Sequence, residues 1–171
     1  MSDGLLPAER RVQQQLGHLP LDFRAMWAIS NVFRSSAAIR RHMEAKVLAA
    51  DRLSWTSFVG LWVLWVWGEL DAHEFADAVG ISRPTATGVL RTLKRRGWTE
   101  RRPNPTDARG IRVSLTAAGR RKIEDLFPRF NAEEAVLASA LTTRQQEQLA
   151  VVLRRLLLAV TSDGDAVSSP V

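Results

Sequence analysis

Between residues 83 and 112 stand nine basic side chains, Arg83, Arg91, Lys94, Arg95, Arg96, Arg101, Arg102, Arg109 and Arg112, against two acids, Glu100 and Asp107. The segment's net charge is +7, while the whole chain carries only +6, so the remainder is slightly acidic. Charge focused in this way is the footprint of a polyanion-binding face. Each phosphate neutralised by Lys or Arg releases counterions, and that release drives binding. Within 83–96, Ala86, Val89, Leu90 and Leu93 recur at i, i+3, i+4 and i+7 and define an apolar helix face. At about 100° per residue the opposite face is centred on Pro84, Gly88, Arg91 and Arg95, flanked by Thr85 and Thr87. With Ser82 and Arg83 at its start, this helix offers short hydroxyls at a positive helix end and arginines that can pair bidentately with guanine. A turn-rich stretch further on places Arg109 two residues from Asp107. A tip arginine suits the strongly negative potential of a narrow minor groove, and a nearby carboxylate can hold its guanidinium in place. Arg101, Arg102 and Arg112 complete the basic set on the flanking strands.

Other chemistries are poorly served. The chain has no cysteine, which removes thiolate nucleophiles and Cys-based zinc sites, and it lacks a Gly-rich phosphate loop, an HExxH motif and a nucleophile elbow. No enzyme is expected. His18, His42 and His73 are far apart and share no ligand spacing with acids, so no metal or other cofactor is expected. The longest apolar run, 58–67, is well short of the ~18 residues of a membrane span, and residues 1–20 lack a signal-peptide core, so a soluble, cytoplasmic protein with no membrane partner is expected.

The elements that must position these residues are also legible. Residues 21–50 lack Gly and Pro and place Phe23, Trp27, Ser30, Phe33 and Ala37 at helical spacing, predicting a helix longer than a compact domain needs for its own core. Ser54 caps a second, almost wholly apolar helix over 55–67. Asp71 with Glu74 has capping-box character and opens a short helix closed by Gly80; Ser82 opens the next, closed by Gly97. Two short helices joined by a tight turn form a helix-turn-helix. The alternation of Ile111, Val113 and Leu115 with Arg112 and Ser114 predicts a strand, paired with 98–102 in a long-tipped hairpin. Thr116 caps a further helix in which Pro128 marks a kink or break. A last helix over about 143–160 carries a stripe of Leu149, Val152, Leu153, Leu156 and Leu157. The whole is mainly α with a small β-hairpin.

The runs Ala76-Asp77-Ala78-Val79-Gly80-Ile81-Ser82, Thr85-Ala86-Thr87, Leu93-Lys94-Arg95-Arg96-Gly97-Trp98-Thr99-Glu100-Arg101, Asp107-Ala108-Arg109 and Val113-Ser114-Leu115-Thr116-Ala117-Ala118-Gly119 resemble, in order and spacing, the MarR family of winged helix-turn-helix regulators. The resemblance spans roughly 53–119 by motif and the flanking helices by layout. It implies an N-terminal dimerisation helix (21–50), a DNA-binding lobe (53–116) and C-terminal dimerisation helices (117–160), between stretches that the sequence itself reads as a flexible N-terminal segment (1–20) and a disordered tail (161–171). It also implies a homodimer, usually a repressor, on an inverted repeat of double-stranded DNA. The helix after Ser82 would lie in the major groove and the Asp107/Arg109 wing in the minor groove. Where the family often carries arginine, this chain has Gly88, while Arg91 stands where an acid is frequent; this shifts expected base reading to Arg91. Members often respond to small aromatic ligands, and Trp27, Trp55, Phe58 and Trp62 are the candidate pocket. The competing reading, a winged-helix module that binds protein, explains the fold but not the +7 segment.

Overall fold

The computed structural model describes residues 4–103 and 111–162. The chain divides into two compact units, Met1–His42 and Met43–Val171. In the first, α1 (Pro7–Leu16) occupies a stretch the sequence reading leaves flexible. Pro7 at the first helical position and Glu9, whose Oε2 accepts from the Leu6 N–H at 2.8 Å, supply the start. The other oxygen of Glu9 accepts from Asn31 Nδ2 at 2.8 Å, and Arg34 stands 3.8 Å away, so α1 is fastened to α2 (Phe23–Met43) through a carboxylate only 2% exposed. The Leu6 N–H first, then Asn31, hold that carboxyl below its ordinary pKa. Along α2, Ile29, Val32, Phe33 and Ile39 remain exposed.

The helical winding persists beyond α2 through a wide π turn, Glu44–Leu48, and a tight 3-10 turn, Ala49–Asp51, ending at Arg52 in the left-handed region. The helix expected over 21–50 is therefore present with its winding altered in the last two turns. Glu44 Oε1 accepts from the Trp55 N–H at 3.0 Å, adding to the Ser54 cap at the start of α3 (Trp55–Trp67). This apolar helix lies at the centre of the second unit's core with Phe58, Leu61, Val63 and Leu64 buried. Around it are Met43 and Leu48, Phe75 of α4 (Ala72–Val79), Leu90 and Leu93 of α5 (Arg83–Arg95), and Ile123 and Leu126 of α6 (Ala117–Ala138). At roughly 25 cal/mol per Å2 of apolar surface, burial of side chains this large is the main force fixing the unit.

The sheet holds one strand more than the sequence predicts. β2 (Thr99–Pro103) pairs antiparallel with β3 (Ile111–Leu115), Arg101 opposite Val113, and the two-residue β1 (Leu70–Asp71) adds to the far side of β3. The hairpin's tip, including Asp107 and Arg109, lies outside the described residues. Pro128 does not break α6, which runs on to Ala138; the helix forgoes one N–H and continues. α7 (Thr143–Ser162) closes the described chain, with Leu149, Val152, Leu153 and Leu157 exposed and Leu156 half-buried. Among the described residues no single helix is long and apolar enough to cross a membrane.

Candidate nucleic-acid interface

The two helices of the helix-turn-helix are set by their caps. Asp71 Oδ1 accepts from the N–H groups of His73 and Glu74 at 2.7 and 2.8 Å, while Glu74 Oε2 accepts from the Asp71 N–H at 2.7 Å, so the capping box read from the sequence is complete. Gly80, at φ +71°, turns the chain, and Ser82 Oγ accepts from the Thr85 N–H at 3.4 Å. Ala86, Val89, Leu90 and Leu93 are buried, which turns the other face of α5 outward. Thr85, Thr87, Arg91, Lys94 and Arg95 are exposed, as are Ser82, Arg83 and Pro84. The hydroxyls have local partners, Thr85 with Ser82 at 2.8 Å and Thr87 donating to the Arg83 carbonyl at 3.1 Å, on residues that are exposed. Arg83 Nη2 lies 3.4 Å from both ring nitrogens of His73, which in turn meets Asp77 at 3.2 Å. Gly88 is half-buried, and a Cβ placed there meets nothing within 4 Å.

The basic residues divide into two sets. The side chains of Arg91, Lys94, Arg95 and Arg101 make no hydrogen bond or ion pair among the described residues and are exposed. Others hold the fold. Arg96 donates to the Asp51 carbonyl at 2.8 Å and to the Arg52 carbonyl at 2.5 Å, and its guanidinium sits 4.9 Å from the Trp98 ring. Arg112 donates to the Glu69 carbonyl at 2.6 Å and pairs with Glu69 and Glu74 at 3.4 and 3.5 Å. Arg102 pairs with Glu100 at 2.7 Å while staying exposed. Lys94 joins the outward set although no helix-face argument singled it out.

Behind Arg96, the Asp51 side chain accepts from Lys122 Nζ at 2.5 Å and Arg129 Nη2 at 3.1 Å, both on α6. Burial pushes the Asp51 carboxyl up, but the two cations outweigh it and hold its pKa below the ordinary value. The end of α5 is thus tied, through a single turn of chain, to α6. A second tie is steric: Thr116 Oγ1 bonds the Gly97 carbonyl at 2.6 Å, and Gly119 passes so close to Trp98 that a Cβ there would fall 2.0 Å from its carbonyl oxygen.

Between α3 and α6 lies an aromatic cavity of about 220 Å3, lined by Trp55, Phe58, Val59, Trp62, Phe127, Phe130 and Glu134. Phe58 and Phe130 stack at 4.1 Å and Trp55 stands 5.9 Å from Phe130. Three of the four aromatic residues proposed from the sequence therefore line one space. Trp27 belongs to the first unit, where its ring meets Phe23 at 5.7 Å. Phe127, Phe130 and Glu134 were missed, although their i, i+3, i+7 spacing marks one helix face.

The described geometry can be set beside known proteins. The chain is 35% identical over 150 residues to the uncharacterised HTH-type transcriptional regulator YwaE of Bacillus subtilis, covering 86% of this chain and 88% of that protein. The MarR family model matches residues 53–111. The chain belongs to the MarR family. Another similar protein is the transcriptional repressor MprA of Escherichia coli, 32% identical over 114 residues, or 66% of this chain and 65% of that one. Among solved structures, the MepR–DNA complex of Staphylococcus aureus superposes with a TM-score of 0.69 at 24% identity, covering 78% of this chain and 98% of that one. The MarR match begins at Leu53, just before α3, and ends at the first residue of β3, so it coincides with the helix-turn-helix and the start of its wing. The chain is thus a member of this family of winged-helix transcriptional regulators, and α5 is the second helix of its helix-turn-helix.

Proposed function

We propose that this regulator acts as a homodimeric repressor on an inverted-repeat operator and is released by a small aromatic ligand. The observation that carries the DNA reading is the outward face of α5: hydroxyls at its N-terminal end, unpaired Arg91 and Arg95 one turn apart, and no described residue covering them. α5 enters the major groove, with Ser82, Arg83, Pro84, Thr85, Thr87 and Gly88 near the backbone and base edges and Arg91 reading bases. Arg101 and Arg102 lead toward the wing tip, where Arg109, oriented by Asp107, enters the minor groove. Dimerisation is supported by the exposed apolar residues of α2 and α7, among them Val32, Phe33, Leu149 and Val152. The effector reading is supported by the cavity, which has apolar walls and one polar side chain.

The test is selection from a randomised duplex pool at physiological salt, followed by sequencing. Enrichment of an inverted repeat with half-site centres about one helical turn apart is expected. Arg91→Ala should weaken binding by about 1–3 kcal/mol and relax preference inside each half-site. No enrichment with the folded, ligand-free protein would overturn the reading.

A further inference from the structure

The chemistry of the cavity goes beyond a general aromatic site. Resting on the aromatic-effector reading above, we infer that the cavity between α3 and α6 selects a cationic aromatic ligand, with Glu134 as the charge-selecting residue. Six of its seven lining residues are apolar, and Glu134 is the only ionisable one. Phe58, Val59 and Phe130 are buried, forming the floor, whereas Glu134 is exposed and so stands at the mouth. One oxygen of Glu134 accepts from Asn131 Nδ2 at 2.9 Å. Among the described residues no cation pairs with it, which leaves the carboxylate free to receive one.

Size and electrostatics agree on the occupant. A cavity of about 150 Å3 lined by apolar side chains admits a benzene ring, so 220 Å3 suits a substituted ring or a fused pair. The ligand's rings would lie against Phe58 and Phe130, and its ammonium would sit beside Glu134. The faces of Trp55 and Trp62 carry negative quadrupole charge and attract the same cation. An aromatic carboxylate would meet a like charge at the mouth and no basic lining residue to offset it.

Isothermal titration calorimetry on the full chain tests this with three probes of one shape: naphthalene-1-methylammonium, 1-naphthalenemethanol and 1-naphthoate. The cation is expected to bind about three- to fivefold tighter than the neutral alcohol, the upper end of the scale of one partly exposed ion pair, and the carboxylate weakest. Glu134→Gln, an exposed substitution that preserves shape, should bring cation and alcohol within about twofold of each other. Trp62→Ala should weaken cation and alcohol alike. Equal binding of all three probes, tightest binding of naphthoate, or a cation preference that survives Glu134→Gln overturns the charge assignment and leaves the aromatic-effector reading intact. Binding of the cation undiminished by Trp62→Ala places it elsewhere and overturns the assignment. No binding by any probe overturns both.

Discussion

Helices α5 and α7 are both amphipathic, yet their apolar faces meet different fates. In α5, Ala86, Val89, Leu90 and Leu93 are at most 9% exposed, covered by the chain's own core. In α7, Leu149, Val152 and Leu157 are about half exposed. The first helix is finished by its own chain, and only its polar face is left for a partner. The second is left with its apolar face exposed, and under the proposed homodimer a second copy covers it. The same helical periodicity therefore marks a buried face in one place and an exposed one in the other. Periodicity alone does not tell them apart.

The largest effect should come from charging the unfinished face. Leu153→Asp with Leu157→Asp is expected to convert the proposed dimer, of twice 19.1 kDa, to monomer in analytical ultracentrifugation and to reduce operator affinity on the order of 100-fold, because the two proposed half-site contacts are no longer linked. The lobe should stay folded, since both side chains are exposed in the single chain; a variant that stays dimeric would dissociate α7 from the interface. Next is Gly119→Ala, which drives a methyl into the Trp98 backbone. It should cost about 3 kcal/mol and lower Tm by roughly 6–12 °C in a thermal melt, with dimerisation unaffected while folded. Unchanged stability would mean that the lobe is less tightly closed on α6 than the geometry requires.

Asp51→Asn should cost about 1–2 kcal/mol by removing charge from a partly buried pair. Because Asp51's folded pKa is depressed, its contribution is fully present above the unfolded value, near 3.9, and lost as pH falls through the folded pKa. Denaturation of wild type and variant should differ at pH 7 and converge well below pH 4. The smallest effect is Gly88→Ala, expected to stabilise the protein by about 0.5–1 kcal/mol, because a methyl there meets open space in a helix interior. Destabilisation would show that α5's outer face is already occupied.

Local signals made most of the lobe legible. Ser54, Asp71, Ser82 and Thr116 each accept from a backbone N–H two or three residues ahead, so their roles are written within one helical turn. The helix of Pro7–Leu16 had such a signal in Pro7 and Glu9, although its surroundings read as flexible. What escaped depends on distance along the chain. Arg96 finds its carbonyls 44 and 45 residues away, and Arg112 finds Glu74 38 residues away, so a count of basic residues could not separate struts from contacts. β1 is two residues long and exists only because β3 passes beside it. Three of the cavity's seven lining residues lie on α6, and nothing in the α3 sequence announces which residues will face it.

Gly88 has a consequence for descent. It sits on α5 where a side chain would enter free space, so mutation there carries no folding penalty to be purged. Under the proposed DNA reading, single substitutions at this position would alter the surface turned toward the operator while the scaffold remains intact, so new targets would come without loss of the fold.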